Sequence, residues 1–383
     1  MVTKEWIIQG QRWLLLSLCD GNHGHLAADY VVEELPERIR RRLETLIQES
    51  LGGFLDCVNV EEADPAVRSM LREVVLELDG ALANAVRDIC PNPQDLTEDE
   101  ARSLANEHRN VIQRAVMEQL SLWHLLPRMT VSSISTTDDT GKRRAERLLN
   151  AHSFEDAREN VRFSLYHPSA EMKNGLIRDK RLFGWLLTSH TIGNHHLKMD
   201  KAYVHHFFQY VNMSKRGLKP SNLDKVVLSP PYLTAEPSIR FVDLKPMWDK
   251  DLYVVLFSDG VDHIVNRPTV LGQRQSGARN GTADPVNVVS ALLSDFADPD
   301  VECILGHQVQ PRWNGPRGNV ALDVLGNLLG GMDATKLNMA TTRPAGGGHL
   351  DDTTIMVARF AKHRDPGFFI GVAPPTNAPA PQP

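Results

Sequence analysis

Hydrophobic positions in this chain fall into short unbroken runs and into stripes that repeat every third or fourth residue. Leu252 to Phe257 (LYVVLF) is an unbroken apolar run that stops at Ser258, Asp259 and Gly260, the pattern of a buried strand delivering a carboxylate at its C-terminal end. Gly346 to Phe360 (GGGHLDDTTIMVARF) reverses the order, with Asp351 and Asp352 ahead of the β-prone Thr353 to Val357. In an antiparallel pair the end of one strand lies beside the start of its neighbour, so Asp259 and Asp351 are expected to meet at one edge, an arrangement suited to a hard cation. Near the start, Trp13 to Cys19 (WLLLSLC) repeats the device into Asp20 and Gly21. Any one Asp-Gly after an apolar strand is also what a plain turn looks like; three strand-end aspartates together argue for more.

The stripes predict helices. Ile39, Leu43, Ile47 and Leu51 follow the Gly-rich stretch Gly21 to His25, with Pro36 expected to kink or divide the helix and Arg38 and Arg40 to Arg42 on its solvated face. Val67, Met70, Leu71, Val74, Val75, Leu78 and Leu82 mark an amphipathic helix from Pro65 to about Ile89. Thr97 is placed to cap the next, with Glu98 and Asp99 in its first turn and an end near Leu122. Further on, Met129 to Ser135 reads as a weak strand, Lys142 to Asn150 as a short basic helix, and Ser238 to Leu244 as a strand. Helices are expected from about Val286 to Phe296 and from about Asn319 to Leu329. The organisation expected is one domain over 1–362 with a helical insertion at about 53–128, then a Pro-rich, disordered tail over 363–383.

Composition narrows the class. A content of 42% hydrophobic residues supports a substantial core, while a net charge of −6 with scattered Lys and Arg gives no basic face for nucleic acid. The four cysteines, Cys19, Cys57, Cys90 and Cys303, show no CxxC spacing and fit a reducing compartment. No apolar run is long enough for a membrane span, and the N-terminus lacks the marks of a signal or transit peptide, which gives a cytoplasmic default.

Several motifs, in order, carry a family resemblance. Asp20-Gly21 followed by Gly24, then RLFGWLLTSHTIGN (Arg181 to Asn194), PPYLTAEP (Pro230 to Pro237), Phe257-Ser258-Asp259-Gly260 and Asp351-Asp352-Thr353-Thr354 resemble the metal-dependent serine/threonine protein phosphatases, the PPM or type 2C family, in its pyruvate dehydrogenase phosphatase-like branch. The resemblance covers about residues 13–50 and 135–362. It implies an α+β fold, an antiparallel β-sandwich flanked by helices on both faces, and hydrolysis of phosphoserine or phosphothreonine in a phosphoprotein substrate. It also implies two Mg²⁺ or Mn²⁺ ions, with a metal-activated water as nucleophile. Carried over residue by residue, Asp20 would bridge the ions, the Gly21 carbonyl would ligate one, and Asp259 and Asp351 would hold the other. Branch resemblance also makes a mitochondrial location an option, and oligomeric state is not readable.

The chain departs from the family pattern. An N-terminal strand pair with a phosphate-gripping Arg is expected to be absent, Arg12 lying in no matching motif, and a central strand pair with its Gly-Asp-Ser-Arg motif is expected to be missing between about Leu122 and Ser135. Asn22 stands at the motif's histidine position and His190 and Asn194 stand where the family has an arginine and an aspartate; His263 replaces the acidic residue that usually follows Asp259, and Asp352 completes the closing motif. These changes would strip ligands from a third, weakly held metal and keep open a catalytically impaired pseudophosphatase acting as a binding or regulatory module, or an incomplete gene product. His23, His25, His195 and His196 raise a rival transition-metal centre, though neither pair has a spacing such as HExxH. Lys142, Arg143 and Arg144 are read as a solvated face before a phosphate grip, and Ser17 and Ser258 lack a nucleophile elbow.

Overall fold

The computed structural model describes residues 1–19, 26–49, 60–117, 131–149, 152–154, 156–173, 175–184, 186–211, 227–266, 283–315, 317–342, 353–360 and 370–372. The chain divides into two compact units, one comprising Met1–Arg128 and Ala151–Phe241, the other Met129–Asn150 and Val242–Pro383.

The first unit opens with an antiparallel hairpin, β1 (Val2–Ile8) and β2 (Gln11–Ser17), turned by Gln9 and Gly10, both at positive φ. β2 is the strand expected to lead to Asp20, and a single strand, β1, precedes it where the family's strand pair was expected to be absent; Arg12 is held by Glu5 across the hairpin. Helix α1 (Leu26–Glu49) buries Ala27, Val31, Leu35, Ile39, Leu43 and Ile47 along one stripe and packs on α2 (Val60–Ile89), which buries Met70, Val74, Val75, Leu78, Leu82 and Val86. Pro36 neither divides α1 nor leaves the core. Its lost hydrogen bond, worth about 3 kcal/mol in an isolated helix, is outweighed by the continuous apolar stripe on both sides of it.

Thr97 caps α3 (Glu98–Glu107) in a full capping box, its hydroxyl accepting from Glu100 N while Glu100 Oε2 accepts from Thr97 N at 2.9 Å. α3 stops at Glu107 and does not run on to Leu122; a short helical turn and a π-helical turn, Gln113–Met117, follow. Past residue 151 come α4 (Ala157–Tyr166), absent from the sequence expectations, a small ribbon between Ile177–Arg178 and Arg181–Leu182, and α5 (Lys201–His206). Ser238 to Leu244 forms no strand. Ile239 O accepts from Arg68 and Glu236 pairs with Arg72, so this segment is tied by side chains of α2, with no ladder partner among the described residues.

The second unit is a five-stranded antiparallel sheet in the order β4-β3-β5-β6-β7, made of β3 (Val131–Thr137), β4 (Arg143–Arg147), β5 (Leu252–Phe257), β6 (Ile355–Phe360) and β7 (Ile370–Val372). Two corrections follow. The weak strand over 129–135 is a well-paired inner strand, and the basic helix over 142–150 is edge strand β4. β4 has no apolar face to advertise it. Its Arg143 instead lies over the Tyr253 ring at 4.5 Å and pairs with Asp251, while Asp138 accepts from Lys142 N across the turn and Gly141 adopts a positive φ within it. β3 and β4 thus form a strand pair at 131–147, and β7 brings residues 370–372, assigned to the tail, onto the sheet.

Tyr253, Val255 and Phe257 of β5 and Ile355 and Val357 of β6 join a core with the helices α6 (Gly260–Asn266), α7 (Pro285–Leu292), α8 (Pro299–Leu305) and α9 (Val320–Leu329); α10 (Ala334–Thr341) lies against α9. The α+β class with an antiparallel sheet stands as expected.

Candidate functional site

The register of β5 and β6 positions the expected carboxylates. Phe257 pairs with Ile355, and beyond the ladder Ser258 N donates to Thr354 O at 3.0 Å while Thr354 N donates to Ser258 Oγ at 2.9 Å. The end of β5 and the start of β6 are thereby clamped together. Asp259 emerges from that clamp, 8% exposed, and leads directly into α6, whose first turn places His263 Nε2 at 3.8 Å from the Asp259 carboxylate. Of the expected ligands Asp259 is the described one; Asp20, Gly21 and Asp351, with Asn22, Asp352, His23 and His25, lie outside the described residues. The Asp259 carboxylate, buried at a strand end, is the kind of hard oxygen donor that Mg²⁺ or Mn²⁺ prefers.

His190 and Asn194 sit on a buried loop of the first unit. Asn194 adopts a left-handed conformation (φ +50°), which Asn tolerates, and both of its side-chain amide atoms are buried without a hydrogen bond. The loop is anchored on α2. Asp79 Oδ1 accepts from Gly193 N at 2.7 Å and from Lys198 Nζ at 2.8 Å, with His195 Nε2 at 3.4 Å, and Lys198 also donates to the Thr191 carbonyl. The PPYLTAEP segment docks on this loop, Tyr232 N donating to Leu197 O and Thr191 N to Thr234 O. Tyr232 is fully buried, its ring stacked on His167 and its hydroxyl bonded to Glu171; burial and then that carboxylate push the phenol up to about 12. This motif is scaffold.

His195 and His196 are both buried; their expected partners in a rival histidine centre, His23 and His25, lie outside the described residues. The buried pair titrates abnormally. Burial is the main force holding His195 down to about 4, against the pull of Asp79, and His196 down to about 3, from an ordinary 6.5. Between pH 6.5 and about 4 the unfolded chain therefore binds more protons than the folded one, and folding stability falls as the pH drops through that window. The expected slope is up to about 1.4 kcal/mol per pH unit for each histidine. Urea unfolding at stepped pH checks this, and a midpoint that stays level below neutrality contradicts it.

A second constellation was not legible in the sequence. An antiparallel bridge between Ser153 and Thr188 sets His152 beside His190, their rings stacked at 3.7 Å between centroids and 13° apart. Glu159, projecting from α4 on the same face as Phe163, brings Oε1 to 3.1 Å from His190 Nε2 and engages Arg162 through Oε2 at 2.8 Å. Burial raises the Glu159 pKa, but the bonds from His190 and Arg162 outweigh it and hold the carboxyl down to about 2. Burial, then the neighbouring His190, lowers His152 to about 4. The only local signal was a Glu and an Arg three apart on a short amphipathic helix; the two histidines are far apart in the chain.

Sequence comparison finds this chain similar to protein phosphatases, among them a pyruvate dehydrogenase phosphatase and a type 2C phosphatase. It is 28% identical over 149 residues to the mitochondrial pyruvate dehydrogenase phosphatase 1 of Homo sapiens, covering 36% of this chain and 25% of that protein. To probable protein phosphatase 2C 40 of Arabidopsis thaliana it is 24% identical over 292 residues, 73% of this chain and 55% of the relative. The chain thus spans between a quarter and about half the length of the curated relatives it matches. No family model matches. Among solved structures, the serine-threonine phosphatase 2C from Toxoplasma gondii aligns over 89% of this chain and 83% of that one at 12% identity and a TM-score of 0.40, too low to place elements. No helix among the described residues is long and apolar enough to cross a membrane.

Proposed function

We propose that this chain is a protein serine/threonine phosphatase that hydrolyses phosphoserine or phosphothreonine in protein substrates with Mg²⁺ or Mn²⁺. The observation that carries the reading is the Ser258–Thr354 clamp, which fixes Asp259 at the strand end where a phosphatase of this class needs a carboxylate. Asp259 and Asp351, with Asp20 and the Gly21 carbonyl, are the residues proposed to hold two ions. When bound, such ions activate a water molecule and neutralise phosphoryl oxygens.

The chain's own contribution is positional. β5 and β6, hydrogen-bonded along their length, hold Asp259 at the end of a rigid element, and α6 places His263 Nε2 3.8 Å from its carboxylate. Burial of Asp259 keeps its charge from being screened by water. The mitochondrial location in the human relative's name makes a mitochondrial phosphoprotein one substrate class to include.

The test is hydrolysis of a phosphothreonine peptide by the purified chain, with Mn²⁺ and with Mn²⁺ removed by chelation. Turnover that needs the ion is expected. A folded sample with no turnover at any Mn²⁺ concentration overturns the reading.

A further inference from the structure

The His152–Glu159–His190 cluster poses a problem of proton accounting. His190 Nδ1 lies 2.7 Å from the carbonyl oxygen of Glu236, which can only accept, so Nδ1 carries a proton and donates it. Nε2 of the same ring then faces Glu159 Oε1 at 3.1 Å, and an ionised carboxylate is also acceptor-only. Two electron-pair donors at that distance repel unless something between them takes both lone pairs. A second proton on His190 would do so. So would a cation, and a third observation favours it: His152 Nε2 is buried with no hydrogen-bond partner, and one donor atom from each of His152, Glu159 and His190 lies within 4.8 Å of the other two.

We propose that His152, Glu159 and His190 form a binding site for a divalent transition cation of the Zn²⁺ type, made of residues other than the proposed phosphatase ligands and independent of whether those turn over substrate. Two imidazoles and one carboxylate suit Zn²⁺ and leave a coordination position open, unlike the all-oxygen sets that Mg²⁺ and Mn²⁺ prefer. The separation of 3.1 Å between His190 Nε2 and Glu159 Oε1 is close to the ~3.3 Å that adjacent ligands of a tetrahedral Zn²⁺ span at bond lengths near 2.0 to 2.1 Å. The Nδ1–H bond from His190 to a backbone carbonyl is the outer support that metal-bound histidines usually have, and Arg162 plays the same part for Glu159 through its other oxygen.

One adjustment is required. A ligated metal lies in the plane of each imidazole, and two rings stacked at 13° cannot share one, so capture needs the His152 ring to turn out of the stack. Nothing pins its Nε2, whereas His190 is bonded at both ring nitrogens. His152 is therefore the ring that moves.

The experiment is titration of the untagged full chain with Zn²⁺ alone against a chromogenic chelator, beside His152→Ala and Asp259→Asn. Wild type and Asp259→Asn are expected to hold one Zn²⁺ at this site with equal affinity, and His152→Ala to lose at least ~100-fold. Zn²⁺ held equally by His152→Ala, or not held by wild type, overturns the site and leaves a protonated His190 paired with Glu159. Should His152→Ala fail to fold, Co²⁺ added to wild type decides: an intense visible band from four- or five-coordinate Co²⁺ is expected, and a spectrum no stronger than hexa-aquo Co²⁺ overturns it.

Discussion

Replacement of Asp259 by Asn is expected to lower Mn²⁺-dependent turnover by at least ~100-fold while leaving the fold intact. The two side chains are nearly isosteric, so the Ser258–Thr354 clamp and the β5–β6 ladder survive the change, and what is lost is one negative charge. A hard dication gains most of its binding energy from anionic oxygens, and removing even an outer-sphere partner of a metal site costs about 10 to 100-fold. Folding should be little affected, because the near-isosteric amide fits the same strand end. Steady-state kinetics across a Mn²⁺ series, with urea unfolding of the same preparations, measures both. Undiminished turnover in a folded variant removes Asp259 from the ligand set.

The second large effect concerns stability. Asp79→Ala should destabilise the chain by about 3 to 5 kcal/mol, since it leaves the buried Lys198 ammonium without its counter-ion and the Gly193 N–H without an acceptor. Lys198 is already held below its usual range by burial, with Asp79 opposing that shift. The joint change Asp79→Leu with Lys198→Met should recover most of the loss, because replacing a buried pair by apolar groups of similar volume is often neutral or stabilising. Urea midpoints for the single and double variants test this; a single variant within about 1 kcal/mol of wild type means the pair is solvated.

What the sequence made legible follows from physical locality. β5 and β6 announce themselves because inner strands are apolar on both sides and end sharply at Ser258-Asp259 and after Asp351-Asp352. α1, α2 and α9 are legible from their stripes, and the Thr97 cap from the acidic Glu98 and Asp99 that follow it; its capping box with Glu100 came only with the structure. β4 is not, because an edge strand stabilised by Arg143 on Tyr253 and Asp251 shows only charge and no apolar alternation. The strand expected at Ser238 to Leu244 failed for the converse reason: β-prone residues need a partner ladder, and there the side chains Arg68 and Arg72 hold the segment. The clusters at Asp79 and at His152–Glu159–His190 join residues from distant segments, and no periodicity encodes such a meeting.

The interleaving of the two units bears on how the chain is made. β3 and β4 form a local hairpin, yet the strand that covers the other side of β3 is β5, which leaves the ribosome more than a hundred residues later, after the whole second segment of the first unit. At a synthesis rate of about 5 to 20 residues per second, the open side of β3 waits for many seconds during translation. For that interval it is an unpaired strand edge, the kind that recruits foreign strands. Nascent chains of this protein are therefore expected to lean on holding chaperones until Leu252–Phe257 arrives, and neither unit can be cut out as a continuous gene segment.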